Sequence, residues 1–180
     1  MPPYYLDIET TGLDPKNSEI ITIQYQKIAF DTGKPLGPLT ILTSWEYDEE
    51  TIVKEFASII MNPNVWNFVP VGNNLPFEFK FLVEKINKYL NAGINLEYFI
   101  SRPHIDIKPI MILANHGRFK GYHLVLNKSG NGNMVPQWYF NNQHDKIINY
   151  IKDEAAAFTE FISKIHHLMF NNSRRLDDYV

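Results

Sequence analysis

The stretch LDIETTGLDP, residues 6–15, sets two carboxylates, Asp7 and Glu9, among alternate positions, Leu6 and Ile8, that suit a buried strand. In an extended chain, residues two apart share a face, so Asp7 and Glu9 stand side by side. Neighbouring carboxylates repel, and burying them is costly unless something positive sits between them. That face is therefore either open to water or built around a cation. Gly12 and Pro15 punctuate the turn that follows.

Reading outward, Tyr4–Ile8 is a short strand. Glu19–Phe30 (EIITIQYQKIAF) is β-branched and aromatic, with Ile21, Ile23, Tyr25 and Lys27 on one side and Ile20, Thr22 and Gln24 on the other. DTGKP (31–35) reads as a hairpin turn and LTILTSWE (39–46) as a third strand, which gives an antiparallel meander. EETIVKEFASII (49–60) is a helix, and VWNFVPVGNN (65–74) is an apolar run suited to a central strand. Leu75–Leu90 is helical, with Leu75, Phe79, Leu82, Ile86 and Leu90 on one face and Pro76 in the first turn. HIDIKPIMILANH (104–116) passes from strand into short helix, with Asp106 on the strand, and NKSGNGNMVPQW (127–138) reads as a loop. A long helix spans His144 to Phe170. The expected fold is α/β: a mixed central sheet, antiparallel meander plus parallel strands, flanked by helices. Residues 1–170 are expected to form one domain, with 171–180 a frayed tail.

Bulk properties narrow the classes. At 180 residues and 44% apolar content the chain is long enough for one well-buried core. It has no cysteine, which excludes disulfides and thiolate metal sites and points to a reducing, cytoplasmic setting. No apolar run approaches the roughly 18–20 residues of a membrane span, and MPPYYLDIE lacks the pattern of a secretory signal. A net charge of −3 argues against coating nucleic acid by charge alone, but it is compatible with an acidic site neutralised by metal.

The last helix carries a carboxylate on its apolar face. At ~100° per residue, Ile147, Ile151, Phe158, Ile162 and Ile165 form a stripe, and Glu154 falls within ~20° of its middle. Asp153 points well away, and Lys152 points opposite. Positions 147, 150, 151, 157 and 158 are Ile, Tyr, Ile, Ala and Phe, so no local base pairs Glu154. Two explanations stand: a distant Lys or Arg, or a cation shared with Asp7 and Glu9. Tyr150, one turn earlier, presents its hydroxyl near the same spot. Glu78, in the first turn of the 75–90 helix, is explained on its own by the helix N-terminus, and beside the other three it becomes a fourth candidate ligand. Four oxygen ligands and no cysteine favour Mg²⁺ or Mn²⁺ over zinc.

These residues resemble the motifs of the DEDD (DnaQ-like) 3′–5′ exonucleases of the ribonuclease-H-like fold. LDIETTGL matches the family's Asp-x-Glu followed by Thr-Gly. NNLPFEFKFL is similar to the second motif, with Asn74, Phe77 and Phe81–Leu82 in register and Glu78 at the usual Asp position. YIKDEAAAF resembles the tyrosine-subclass motif, Tyr-x-x-x-Asp, with Tyr150 in place and Glu154 at the Asp position. Asp153 is the alternative ligand under a local shift of register. The match spans roughly Tyr4 to Ile165.

The resemblance implies a metal-dependent 3′–5′ exonuclease acting on single-stranded DNA or RNA ends, DNA favoured, by two-metal phosphodiester hydrolysis with a pair of Mg²⁺ or Mn²⁺ ions. It implies catalytic roles for Asp7, Glu9, Glu78, Tyr150 and Glu154, the four carboxylates being metal ligands and Tyr150 orienting the attacking water. Thr10, Thr11, Gly12 and Leu13 would meet the terminal nucleotide, with Asn74 as a supporting polar partner and a polymerase or repair protein as a partner to consider. Arg118, Lys120 and Lys128, with Phe119, Tyr122 and Trp138, are candidates for the strand groove. Asp106 approaches the cluster or stabilises a loop. Two readings compete: an end-binding module of the same fold with weak or no turnover, and an acidic surface holding a structural cation.

Overall fold

The computed structural model describes residues 3–29, 32–114, 116–117 and 132–170, the side chains of residues 114 and 166–170 excepted. Five strands form one sheet: β1 (Pro3–Thr10), β2 (Ile20–Lys27), β3 (Thr40–Thr43), β4 (Val69–Gly72) and β5 (Ile105–Asp106), in the order β3-β2-β1-β4-β5. β1, β2 and β3 pair antiparallel, whereas β1–β4 and β4–β5 pair parallel. The sheet is mixed, as expected. The parallel register sets Val71 beside Tyr5 and Gly72 beside Asp106, so segments far apart in sequence meet along the sheet.

Helices cover both faces. On one lie α1 (Glu49–Ile60), α2 (Pro76–Leu90) and α3 (Leu96–Ile100), and Leu6, Ile8 and Ile23 bury against Phe56, Phe79, Leu82 and Phe99. On the other lie α4 (Ile107–Ala114), α5 (Val135–Phe140) and α6 (His144–Phe170). There Tyr5, Val71, Ile107, Met111 and Phe158 form one cluster, and Ile21, Val135, Ile147 and Ile151 another. β1 thus sends Leu6 and Ile8 to one layer and Tyr5 to the other, with Asp7 and Glu9 following Tyr5. No helix among the described residues is long and apolar enough to cross a membrane.

Local chemistry accounts for the element ends. Asp48 caps α1 by accepting from the Thr51 amide at 2.7 Å. α2 stops at Asn91, which adopts the left-handed conformation with φ 50°. Gly72 is required at the end of β4, because a Cβ there would lie 2.8 Å from the carbonyl oxygen of Leu6.

Four expectations are corrected. The register of β1 with β2 shifts between Glu9 and Thr10, so Ile20 packs with Ile23 rather than opposite it. Ile21 turns to the α5–α6 side instead. One extra residue at a bulge inverts the alternation beyond it, and simple period-2 counting does not see this. Leu90, placed on the buried stripe, is 43% exposed because α2 ends there and projects past its neighbours. Of the segment read as a loop, residues 127–131 lie outside the described residues, and the rest is a 3₁₀ turn, Gly132–Met134, followed by α5. The short helix α3 was not anticipated; Asn95 caps it by accepting from the Tyr98 amide at 3.2 Å. The tail 171–180 and part of the 31–35 turn lie outside the described residues.

Candidate active site

Asp7 and Glu9 reach the site from β1, and Glu154 from the middle of α6. Each offers a carboxylate oxygen, and the three oxygens lie within 4.8 Å of one another. Glu9 and Glu154 are buried and Asp7 is half-buried, while Asp153 is exposed, as the helical stripe requires. Two opposed orientations on consecutive helical positions settle which of the pair faces the cluster.

The sheet holds Asp7 in place. Gln24 lies opposite Asp7 in the β1–β2 register and donates its Nε2 to Asp7 Oδ2 at 2.8 Å. The Thr22 hydroxyl donates to Gln24 Oε1 at 2.9 Å, which fixes the orientation of that amide. Tyr5, two residues before Asp7 on the same face, donates its hydroxyl to the same carboxylate oxygen at 3.4 Å. Gln24 and Tyr5 thereby orient the Asp7 carboxylate.

Glu78 comes from the first turn of α2 and is only 4% exposed. Its Oε2 has no hydrogen-bond partner among the described residues. Burial first, and then the charge of Asp7, push its carboxyl well above the ordinary range; Asp106 and Glu154 add to this, against a pull from its own backbone amide. A buried carboxylate in this condition is stabilised by a cation or by a proton.

Tyr150 is hydrogen-bonded to Glu154. Burial, then the charges of Glu154 and Glu9, that hydrogen bond and the charge of Asp7 hold its phenol protonated far above its ordinary value. Gly132 lies directly against this group: a Cβ there would sit 3.1 Å from Tyr150 Oη and 4.0 Å from Glu9 Oε2. The Trp138 ring, on α5, lies 6.1 Å from that of Tyr150.

Of the residues expected to meet a nucleotide, Leu13 is 85% exposed beside the end of β1. The Thr10 hydroxyl donates to the Gly12 carbonyl at 2.6 Å. Thr11 closes its loop, donating its amide to Glu19 O at 2.9 Å and accepting the Glu19 amide at 2.8 Å. Asn74 has φ 67° and accepts from Lys108 Nζ at 2.9 Å. Arg118, Lys120 and Lys128, with Phe119 and Tyr122, lie outside the described residues.

Sequence reasoning missed Tyr5, Gln24, Lys108 and Gly132 as parts of this neighbourhood. Gln24 and Thr22 left a signal, two polar side chains on one face of an otherwise apolar strand. The others left none, because their relation to the cluster arises from packing between distant segments.

The donor set suits a hard divalent cation: carboxylate oxygens converge from separate elements, and the buried Glu78 Oε2 has no hydrogen-bond partner among the described residues. Structural comparison finds the same fold in solved nucleases. Exonuclease I from the moderately thermophilic Methylocaldum szegediense superposes with a TM-score of 0.53 and 16% identity, over 67% of this chain and 30% of that one. E. coli exonuclease I in complex with a dT13 oligonucleotide gives 0.51 and 12%, over 67% and 31%. The metal-free E. coli exonuclease I–ssDNA complex gives 0.52 and 11%, over 67% and 31%. This chain therefore matches about a third of the length of each. A search of curated protein sequences returns no match. The family model of the RNase H superfamily matches residues 4–164, nearly the whole chain, and the chain belongs to that superfamily.

Proposed function

We propose that residues 1–170 act as one domain, a divalent-metal-dependent 3′–5′ exonuclease of the tyrosine DEDD subclass that trims single-stranded nucleic-acid ends. The observation that carries this reading is the convergence of Asp7, Glu9 and Glu154 to within 4.8 Å, with Tyr150 hydrogen-bonded to Glu154. DNA is the favoured substrate, since solved neighbours of this fold are exonucleases, some of them bound to ssDNA.

Asp7, Glu9, Glu154 and Glu78 would hold the metal. Bound Mg²⁺ or Mn²⁺ would supply the positive charge that polarises a phosphodiester and lowers the pKa of an attacking water. Gln24 and Tyr5 orient Asp7 without neutralising it. Tyr150 keeps its proton, so its role is to donate a hydrogen bond and orient water rather than to act as a base. Leu13, exposed just after the end of β1, would wedge against a terminal base, and Trp138 would offer a ring for stacking.

Purified protein incubated with 5′-labelled single-stranded and 3′-overhang oligonucleotides in Mg²⁺ or Mn²⁺ should shorten them stepwise from the 3′ end, and chelation should stop the reaction. Absence of shortening with either metal, in folded protein, overturns the enzyme reading. Retained oligonucleotide affinity would then mark an end-binding module.

A further inference from the structure

The β4–α2 turn and the first turn of α4 are tied together beside the acidic cluster by three residues that the proposed chemistry does not use as ligands. Asp106, the last residue of β5, accepts two backbone amides on the same oxygen: Oδ1 takes the Asn74 N–H at 2.8 Å and the Lys108 N–H at 2.9 Å. Lys108 closes the ring by donating its Nζ to Asn74 Oδ1 at 2.9 Å. The parallel register of Gly72 with Asp106 brings the two segments side by side.

Asn74 is where this matters. It has φ 67°, in the left-handed region, which is uncommon for a residue other than glycine and needs support from its surroundings. Its carbonyl accepts the Phe77 amide at 2.8 Å, so the turn at Asn74 sets the entry of α2. Glu78 follows four residues later in the first helical turn. Because Glu78 Oε2 has no hydrogen-bond partner among the described residues, no such bond fixes that oxygen from its own side. Its placement therefore depends on the backbone that carries it.

We infer that Asp106, Asn74 and Lys108 form a clamp that positions Glu78 for metal binding, with Asp106 as the principal positioning residue through its two amide contacts. The inference rests on the proposed metal site. It assigns Asp106 a role through hydrogen bonds rather than as a ligand, and gives Lys108 a role that sequence reading did not foresee. Partners of this kind typically change metal affinity about 10–100-fold when removed.

Titrating Mn²⁺ into metal-free protein by calorimetry, with the melting temperature followed in parallel, separates the possibilities. Asp106→Ala removes the shared acceptor and should weaken Mn²⁺ binding by about 10–100-fold. Asp106→Asn keeps an oxygen acceptor while losing the charge, and should bind Mn²⁺ close to wild type. Lys108→Met removes the closing contact but leaves both amide contacts to Asp106, and should show a smaller loss; it also serves if Asp106→Ala does not fold. Equal losses for Asp106→Asn and Asp106→Ala would assign the effect to charge and overturn the clamp. A lowered melting temperature with unchanged Mn²⁺ affinity in Asp106→Ala or Lys108→Met would reduce it to a structural brace. If wild type itself binds no Mn²⁺, the metal site and the clamp fall together; if wild type binds and the variants bind as tightly, only the clamp falls.

Discussion

Glu49 and Glu78 are both glutamates buried in the first turn of a helix, one in α1 and the other in α2. Their surroundings are opposite. Glu49 Oε1 accepts the Ile20 amide at 2.7 Å and lies 3.2 Å from the buried Lys85 ammonium. Its Oε2 accepts from the Tyr89 hydroxyl and lies 3.6 Å from Lys88. Glu78 Oε2 has no hydrogen-bond partner among the described residues, and the leading charges acting on the group are those of Asp7, Asp106 and Glu154, all negative. The chain neutralises the first glutamate itself and uses it to tie α1 to β2 and α2. The second sits where its ionised form needs charge from outside. Burial of a carboxylate alone does not distinguish a brace from a site; the sign of its neighbours does.

Substitutions can break or sharpen that contrast. The largest effect is expected from Asp7→Asn. Loss of the central carboxylate should lower 3′-end trimming by at least about 10³-fold, on the order of 4 kcal/mol in the barrier, while the metal-free melting temperature does not fall. Initial-rate assays beside thermal melts check both halves; a variant that loses stability but keeps its rate would place Asp7 with Glu49 as a brace.

Glu49→Gln should behave in the reverse sense. It leaves the Lys85 ammonium, with only 3% of its side chain exposed, without its carboxylate partner. Breaking a buried pair in this way costs about 3–5 kcal/mol, read from denaturant unfolding, and the Mn²⁺ affinity of the folded protein should not change. A matching loss of metal affinity would mean that the two regions are coupled.

The pH dependence provides a third test. Glu78 in the native, metal-free protein holds its proton to higher pH than in the unfolded chain, whose value is near 4.5. The native state therefore binds more protons above that pH, and stability contributed by the protonated carboxyl is lost as pH rises from 4.5 through the raised native value. Melting temperatures of metal-free protein should fall over this window. Glu78→Gln should flatten the fall, and saturating Mg²⁺ should reverse it. An unchanged slope in Glu78→Gln would show that Glu78 does not carry the effect.

The smallest expected change is at Tyr150. Tyr150→Phe removes one hydrogen-bond donor and should lower kcat by about tenfold, ~1.4 kcal/mol. The shape of the pH–rate profile should stay the same, because the phenol does not titrate in the working range. Loss of an alkaline or neutral limb in the variant would instead make Tyr150 a base.

Much of this was legible in residue order. Period-2 alternation placed Asp7 and Glu9 on one face, and the helical stripe turned Glu154 inward and Asp153 outward. Both arguments use only distances along one element, which local geometry dictates. Glu78 was legible only as a motif position, since a carboxylate in a first helical turn has an ordinary explanation. The bulge beyond Glu9 was not legible, and it exchanged the expected faces of Ile20 and Ile21.

What the sequence by itself determined is the five strands, the longer helices and the facing of Asp7, Glu9 and Glu154 on their own elements. Only the tertiary structure decided which of those side chains meet. The register of β1 with β2 set Gln24 on Asp7, and the parallel pairing of β4 with β5 set Asp106 under Asn74. Packing of residues near the start of α6 against the segment before α5 set Gly132 against Tyr150. The physical reason is range: backbone sterics and side-chain periodicity act within a few residues. Pairing between carboxylates and their neighbours is fixed by hydrogen-bond register and burial across segments far apart in the chain.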